Sequence, residues 1–135
     1  MQTFPITTAG GTLIRAFELE HAYITIHDIA TVLTSTEGVS HVRRRRRARD
    51  IRLEFSYHDR PFVVWEPHGD IGRFWIGPEN ADGFGDEVMT LKTRFDAFRP
   101  RLPRLLYGHL MTSWIFTHPF KKRHSRRARL LARIE

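Results

Sequence analysis

Residues 51–65 read IRLEFSYHDRPFVVW, and the fold turns on how this stretch pairs with itself. Ile51, Leu53, Phe55 and Tyr57 alternate with Arg52, Glu54, Ser56 and His58, the period of a strand with one buried face. Asp59 and Arg60 suit a tight turn, after which Phe62, Val63, Val64 and Trp65 return antiparallel. A two-residue turn there sets His58 opposite Pro61, Tyr57 opposite Phe62 and Phe55 opposite Val64 on the core side. Glu54 and Trp65 then share the other face.

Downstream, the turn Glu66-Pro67-His68-Gly69-Asp70 leads into a third strand, Gly72 to Gly77. Val63, Trp65 and Trp75 place apolar surface on the side away from the core, which a second layer or a partner must cover. Asp86 is a good N-cap for a helix in which Val88, Leu91, Phe95 and Phe98 recur at three and four residues, and Pro100 ends it. A last helix, Pro103 to Thr117, offers Leu106, Leu110 and either Trp114 or the pair Met111 and Ile115, and stops at His118-Pro119.

Upstream, Thr12 to Glu20 reads as a strand entered from Gly10-Gly11. Thr25 and Asp28 have the spacing of a capping box, and Ile26, Ile29, Ala30 and Leu33 form one face of a helix spanning Ile26 to Glu37, closed by Gly38. The order β-α-β-β-β-α-α predicts an α+β two-layer sandwich, an antiparallel sheet of three or four strands with helices packed on it. Its predicted core is Ile29, Leu33, Phe55, Tyr57, Phe62, Val64, Val88, Leu91, Phe95 and Leu110. Residues 1–119 are read as one domain and 120–135 as a basic C-terminal tail, for which disorder is one reading.

Composition narrows the function classes. The 135 residues contain no cysteine, which removes disulfides, thiol catalysis and thiolate metal sites. The apolar stretch Leu110 to Thr117 falls far short of the roughly 20 residues a membrane-crossing helix needs, and MQTFPITTAGG lacks the pattern of a secretory signal. A cytoplasmic location is expected. The histidines show no HExxH spacing, the loop around Asn80-Ala81-Asp82-Gly83 puts Pro78 and Met89 where a calcium loop needs ligands, and no phosphate-cradling glycine motif occurs. No metal and no cofactor are therefore expected.

Charge is concentrated. From Phe120 onward seven Lys or Arg face one Glu, so this segment carries +6 of the formal +7. A second basic block, HVRRRRRAR, supplies Arg43, Arg44, Arg45, Arg46, Arg47 and Arg49. Clustered guanidinium groups suit phosphates, and helix–turn–arginine-helix–hairpin would be a winged helix-turn-helix. An apolar hairpin followed at once by a third apolar strand argues against that, and the plainer alternative is a solvated connection before a strand. In the tail, Lys121, Lys122, Arg123, Arg126, Arg127 and Arg129 precede Leu130, Leu131 and Ile134. That pattern suits nucleic acid, an anionic membrane surface, a partner helix, or an ordinary solvated terminus.

Glu66, His68 and Asp70 could perform acid–base chemistry, but Pro67 and Gly69 between them are what a tight turn requires. No catalytic residue is assigned. Three classes remain: a non-catalytic binding module that contacts nucleic acid or an acidic protein surface through its basic segments; an adaptor or toxin-neutralising protein that uses the apolar face of Val63, Trp65 and Trp75; and, least supported, a small enzyme. Oligomeric state is left open.

Overall fold

A computed structural model describes residues 1–8, 10–11, 13–46, 50–66, 72–80 and 85–117. Strands β1 (Thr3–Thr7), β2 (Ile14–Glu20), β3 (Val39–Arg44), β4 (Ile51–Tyr57), β5 (Arg60–Trp65) and β6 (Arg73–Pro78) form one antiparallel sheet in the order β1-β2-β6-β5-β4-β3. Helices α1 (Ile26–Thr34), α2 (Gly85–Asp96) and α3 (Leu102–Thr117) complete the α+β fold. The sheet thus has six strands, not three or four. Both additional strands lie at its edges, where sequence signals are weakest. Pro5 interrupts the pattern of β1, and an edge strand tolerates it because one side of its backbone needs no partner.

The β4–β5 turn falls one residue earlier than expected, at His58 and Asp59, whose φ values of 48° and 62° are both left-handed. Such a pair defines the turn whose twist matches paired strands. Phe55 therefore faces Phe62, Ser56 faces Pro61 and Tyr57 faces Arg60. The reason is Pro61. A turn closing on that residue would need its amide hydrogen to bond the His58 carbonyl, and proline has none. Moving the turn by one residue slides the register by two, so each side chain keeps its expected face. Phe62 packs against Phe55 at 5.5 Å between centroids and edge-on to Tyr57 at 5.7 Å.

The arginine block begins inside β3, which corrects the winged helix; Arg43, Arg44, Arg45 and Arg46 are exposed, and the last two lie in the connection to β4. Val39 pairs with Tyr57 and Arg44 with Leu53, with an irregularity between Ser40 and Arg43 where His41 takes φ 52°. The capping box at Thr25 forms as expected, with the Thr25 amide donating to Asp28 Oδ2 at 3.0 Å and the Asp28 amide to Thr25 Oγ1 at 3.2 Å. The helix it opens ends at Thr34 rather than Glu37. There Thr36 turns its amide to Leu33 O at 3.0 Å and its hydroxyl to Val32 O at 2.7 Å, a local bonding pattern that competes with another helical turn. At the start of α2, Asp86 lies within the first turn rather than capping it, where its charge still favours the helix dipole.

Helices α1 and α2 cover one face. Ile29 and Leu33 from α1, and Val88, Leu91 and Phe95 from α2, are buried with Phe17, Leu19, Phe55, Tyr57, Phe62, Val64, Phe74 and Ile76. Nine of the ten predicted core residues are buried, and Leu110 is not, being 71 % exposed. Helix α3 does not stack on the sheet; it leans on the turn after β2, where Arg104 donates to His21 O at 2.7 Å and His109 meets the Tyr23 ring edge-on at 5.7 Å. Leu106, Leu110 and Trp114 consequently face outward.

Two outcomes follow for stability. Leu91→Ala empties a buried site and is expected to cost about 2–5 kcal/mol, whereas Leu110→Ala should stay within about 0.5 kcal/mol of wild type; urea denaturation separates them. Asp96 joins α2 to β1 by accepting hydrogen bonds from Lys92 and Thr3. Burial opposes its ionisation, but those hydrogen bonds and the Lys92 charge outweigh burial and lower its pKa. A lowered folded-state pKa contributes stability that is complete above the ordinary aspartate value of about 3.9 and is lost as the pH falls through the folded value. Asp96→Asn should therefore flatten the loss of stability below about pH 4, read from urea midpoints at pH 7 and in acid.

Candidate functional site

A strand sends successive side chains to opposite faces, so consecutive arginines in β3 cannot form a one-sided stripe. Arg43 lies opposite Glu54, on the face away from the helices, and Arg44 lies opposite Leu53, on the helix side. The two sets meet only where the strand ends. There an open cleft of about 600 Å³ lies between the β3–β4 end of the sheet, the turn after β2 and the starts of α1 and α3.

Five guanidinium groups line it: Arg44, Arg45 and Arg46 at the end of β3, Arg52 of β4 and Arg104 of α3. Glu66 is the single carboxylate among its described lining residues, beside His21 and Phe74. Arg52 Nε donates to Glu66 Oε2 at 2.7 Å, and His21 Nε2 stands 3.8 Å from the other oxygen. The His21 ring rests on Phe74 with centroids 4.9 Å apart. Arg45 reaches back to Glu54 at 2.7 Å. The Glu54 hydrogen bond and charge raise the Arg45 pKa further, so this guanidinium is charged at any working pH.

Among the described residues, no carboxylate pairs with Arg43, Arg44 or Arg46. Arg104 extends over the Tyr107 ring at 5.0 Å, and its Nε is buried with no hydrogen-bond partner among the described residues. The cleft thus holds more positive charge than its own carboxylates offset. In such a site an anion replaces guanidinium–guanidinium repulsion with charge-assisted hydrogen bonds.

The three residues predicted to form an interaction face do lie together. Val63 and Trp65 of β5 pair with Gly77 and Trp75 of β6 on the side opposite α1 and α2. Trp65 and Trp75 are partly exposed, and their rings meet at 84° with centroids 6.0 Å apart. Trp75 leans along its own strand: a Cβ on Gly77 would come within 2.8 Å of its ring and of the Ala16 methyl group. Beyond Trp75, Arg73 pairs with Glu18 at 2.7 Å and covers Phe4 at 4.1 Å.

Arg47, Arg49, His68 and Asp70, and the tail residues Lys121, Lys122, Arg123, Arg126, Arg127 and Arg129, lie outside the described residues. Glu66, read in the sequence as part of a tight turn with His68 and Asp70, has Arg52 and His21 at its carboxylate among the described residues. Sequence reasoning missed His21 and Arg104. Neither carries a local signal, because the fold alone brings positions 21, 52, 66 and 104 to one place. Among the described residues no three histidine or acidic side chains are grouped to hold a metal ion. No protein-family model matches the chain, and neither does any curated protein or solved structure.

Gly77→Ala should displace the Trp75 ring from its close approach to the strand. The expected result is a changed near-ultraviolet circular dichroism spectrum and a red-shifted tryptophan emission, with far-ultraviolet signal retained.

Proposed function

We propose that the chain is a non-catalytic nucleic-acid-binding module whose arginine-lined cleft holds backbone phosphates. The observation that carries this reading is the convergence of Arg44, Arg46, Arg52 and Arg104, drawn from two strands and a helix, on a cleft with one carboxylate among its described lining residues. Guanidinium forks match phosphate oxygens in pairs, which a lysine cluster would not do. A tail whose sequence carries +6 adds attraction of the same sign, which would speed encounter with a polyanion.

The adaptor reading keeps one supporting observation, the partly exposed pair Trp65 and Trp75, beside which Val63 is buried. It differs in its salt response. An apolar protein interface holds its affinity as salt rises, whereas phosphate binding weakens by orders of magnitude between about 50 and about 200 mM salt when some 6–10 phosphates are engaged.

Fluorescence polarisation of labelled DNA and RNA with the full chain tests the proposal. Binding should fall steeply with salt, and the double variant Arg44→Gln/Arg46→Gln should weaken it and reduce the salt slope by about 2. Glu66→Gln, which removes the cleft carboxylate, should tighten binding. Absence of binding at low salt, or affinity indifferent to these three substitutions, overturns the cleft as a phosphate site.

A further inference from the structure

We infer that the sheet face beside the cleft takes unpaired bases, so that the nucleic acid bound is single-stranded. The inference rests on the nucleic-acid reading above and adds where the bases go.

Three observations carry it. Trp65 and Trp75 form a partly exposed right-angled aromatic corner on a face free of described helices. Trp65 pairs with Ile51, the neighbour of the cleft residue Arg52, so the corner and the cleft adjoin through one strand. Across the same face stand Arg43 of β3 and, one residue past its end, Arg45, which Glu54 of β4 holds at 2.7 Å, with β4 between them and Trp65. Trp75 lies one strand further, on β6, and two strand spacings, about 10 Å, separate the cationic edge from Trp65. That is the reach from a phosphate to the far side of a base on the same backbone.

The chemistry then selects the strand state. A base offers its flat face to an indole only when it is not stacked inside a duplex. Stacking on aromatic side chains beside a basic track is a general way to hold single strands without reading sequence. A duplex laid on this face would bring only sugar and phosphate against the indoles, and would desolvate them without a π-face in return. Charge complementarity fixes the occupant further. The arginine edge repels a basic partner and leaves a neutral apolar partner without counter-charges, whereas a single strand supplies anions and flat rings at the required separation.

The test uses the full chain carrying Trp114→Phe, so that emission reports only Trp65 and Trp75. It is titrated with oligo-dT and oligo-U of about 12 nucleotides, within the range of site sizes for single-strand binders, with a duplex of equal length, and with inorganic polyphosphate. Both single strands should quench the emission and bind tighter than the duplex, while polyphosphate binds without quenching. A difference between oligo-dT and oligo-U then identifies the preferred sugar. Trp65→Leu or Trp75→Leu should weaken single-strand binding about 5- to 150-fold and leave polyphosphate affinity unchanged; Trp75→Phe, which keeps a ring, should restore most of it. Single strand and duplex bound equally without quenching would overturn base stacking and leave the phosphate cleft standing. No binding of any polyanion would overturn both.

Discussion

The left-handed pair His58 and Asp59 closes the hairpin between β4 and β5 and decides which residues stand opposite one another at the centre of the sheet. With Pro61 unable to donate an amide hydrogen, the turn must sit one residue before the position that residue composition favours. Phe55, Tyr57, Phe62 and Val64 then face the helices, and Val63 and Trp65 face away. β6 adds Phe74 and Ile76 to one side and Trp75 to the other, while β3 adds arginines alternately to both. The core and the indole corner are therefore set by the alternation along β4, β5 and β6, and the split of the arginine block by the alternation along β3.

That split determines the electrostatics of the candidate site. Along a strand neighbouring cations are divided between two faces, and only at the end of β3 and just past it do Arg44, Arg45 and Arg46 line one space. Glu54 and Glu66 neutralise part of the cluster through Arg45 and Arg52. Arg104, brought by the helix that leaves the sheet, tips the balance back toward positive. α3 thus forgoes a place in the core and instead closes one wall of the cleft.

Much of the fold was legible because it is written in local periods. The alternation from Ile51 to Tyr57, the spacing of Val88, Leu91 and Phe95, and the Thr25–Asp28 capping box each state their structure within a few residues. The two edge strands were not legible, for physical reasons. β1 contains proline, and β3 packs only Val39 and Val42 against the core, three residues apart across an irregularity between Ser40 and Arg43 that breaks the strand period. Leu110 misled for the converse reason: helical spacing of leucines signals an apolar stripe but not which surface covers it. The site was legible only in part. The arginines announced themselves by composition, but the convergence of His21, Glu66 and Arg104 is a tertiary event with no trace in local sequence.

The central claim is that the end of β3 and the start of α3 form one phosphate-binding surface, and arginine side-chain NMR tests it most directly. In the full chain, labelled with nitrogen-15 and titrated with a single strand of about 12 nucleotides, the account predicts that the Nε–H resonances of Arg44, Arg46, Arg52 and Arg104 shift together along one binding isotherm. Shifts confined to the arginines of residues 120–135, with those four unmoved, would contradict it.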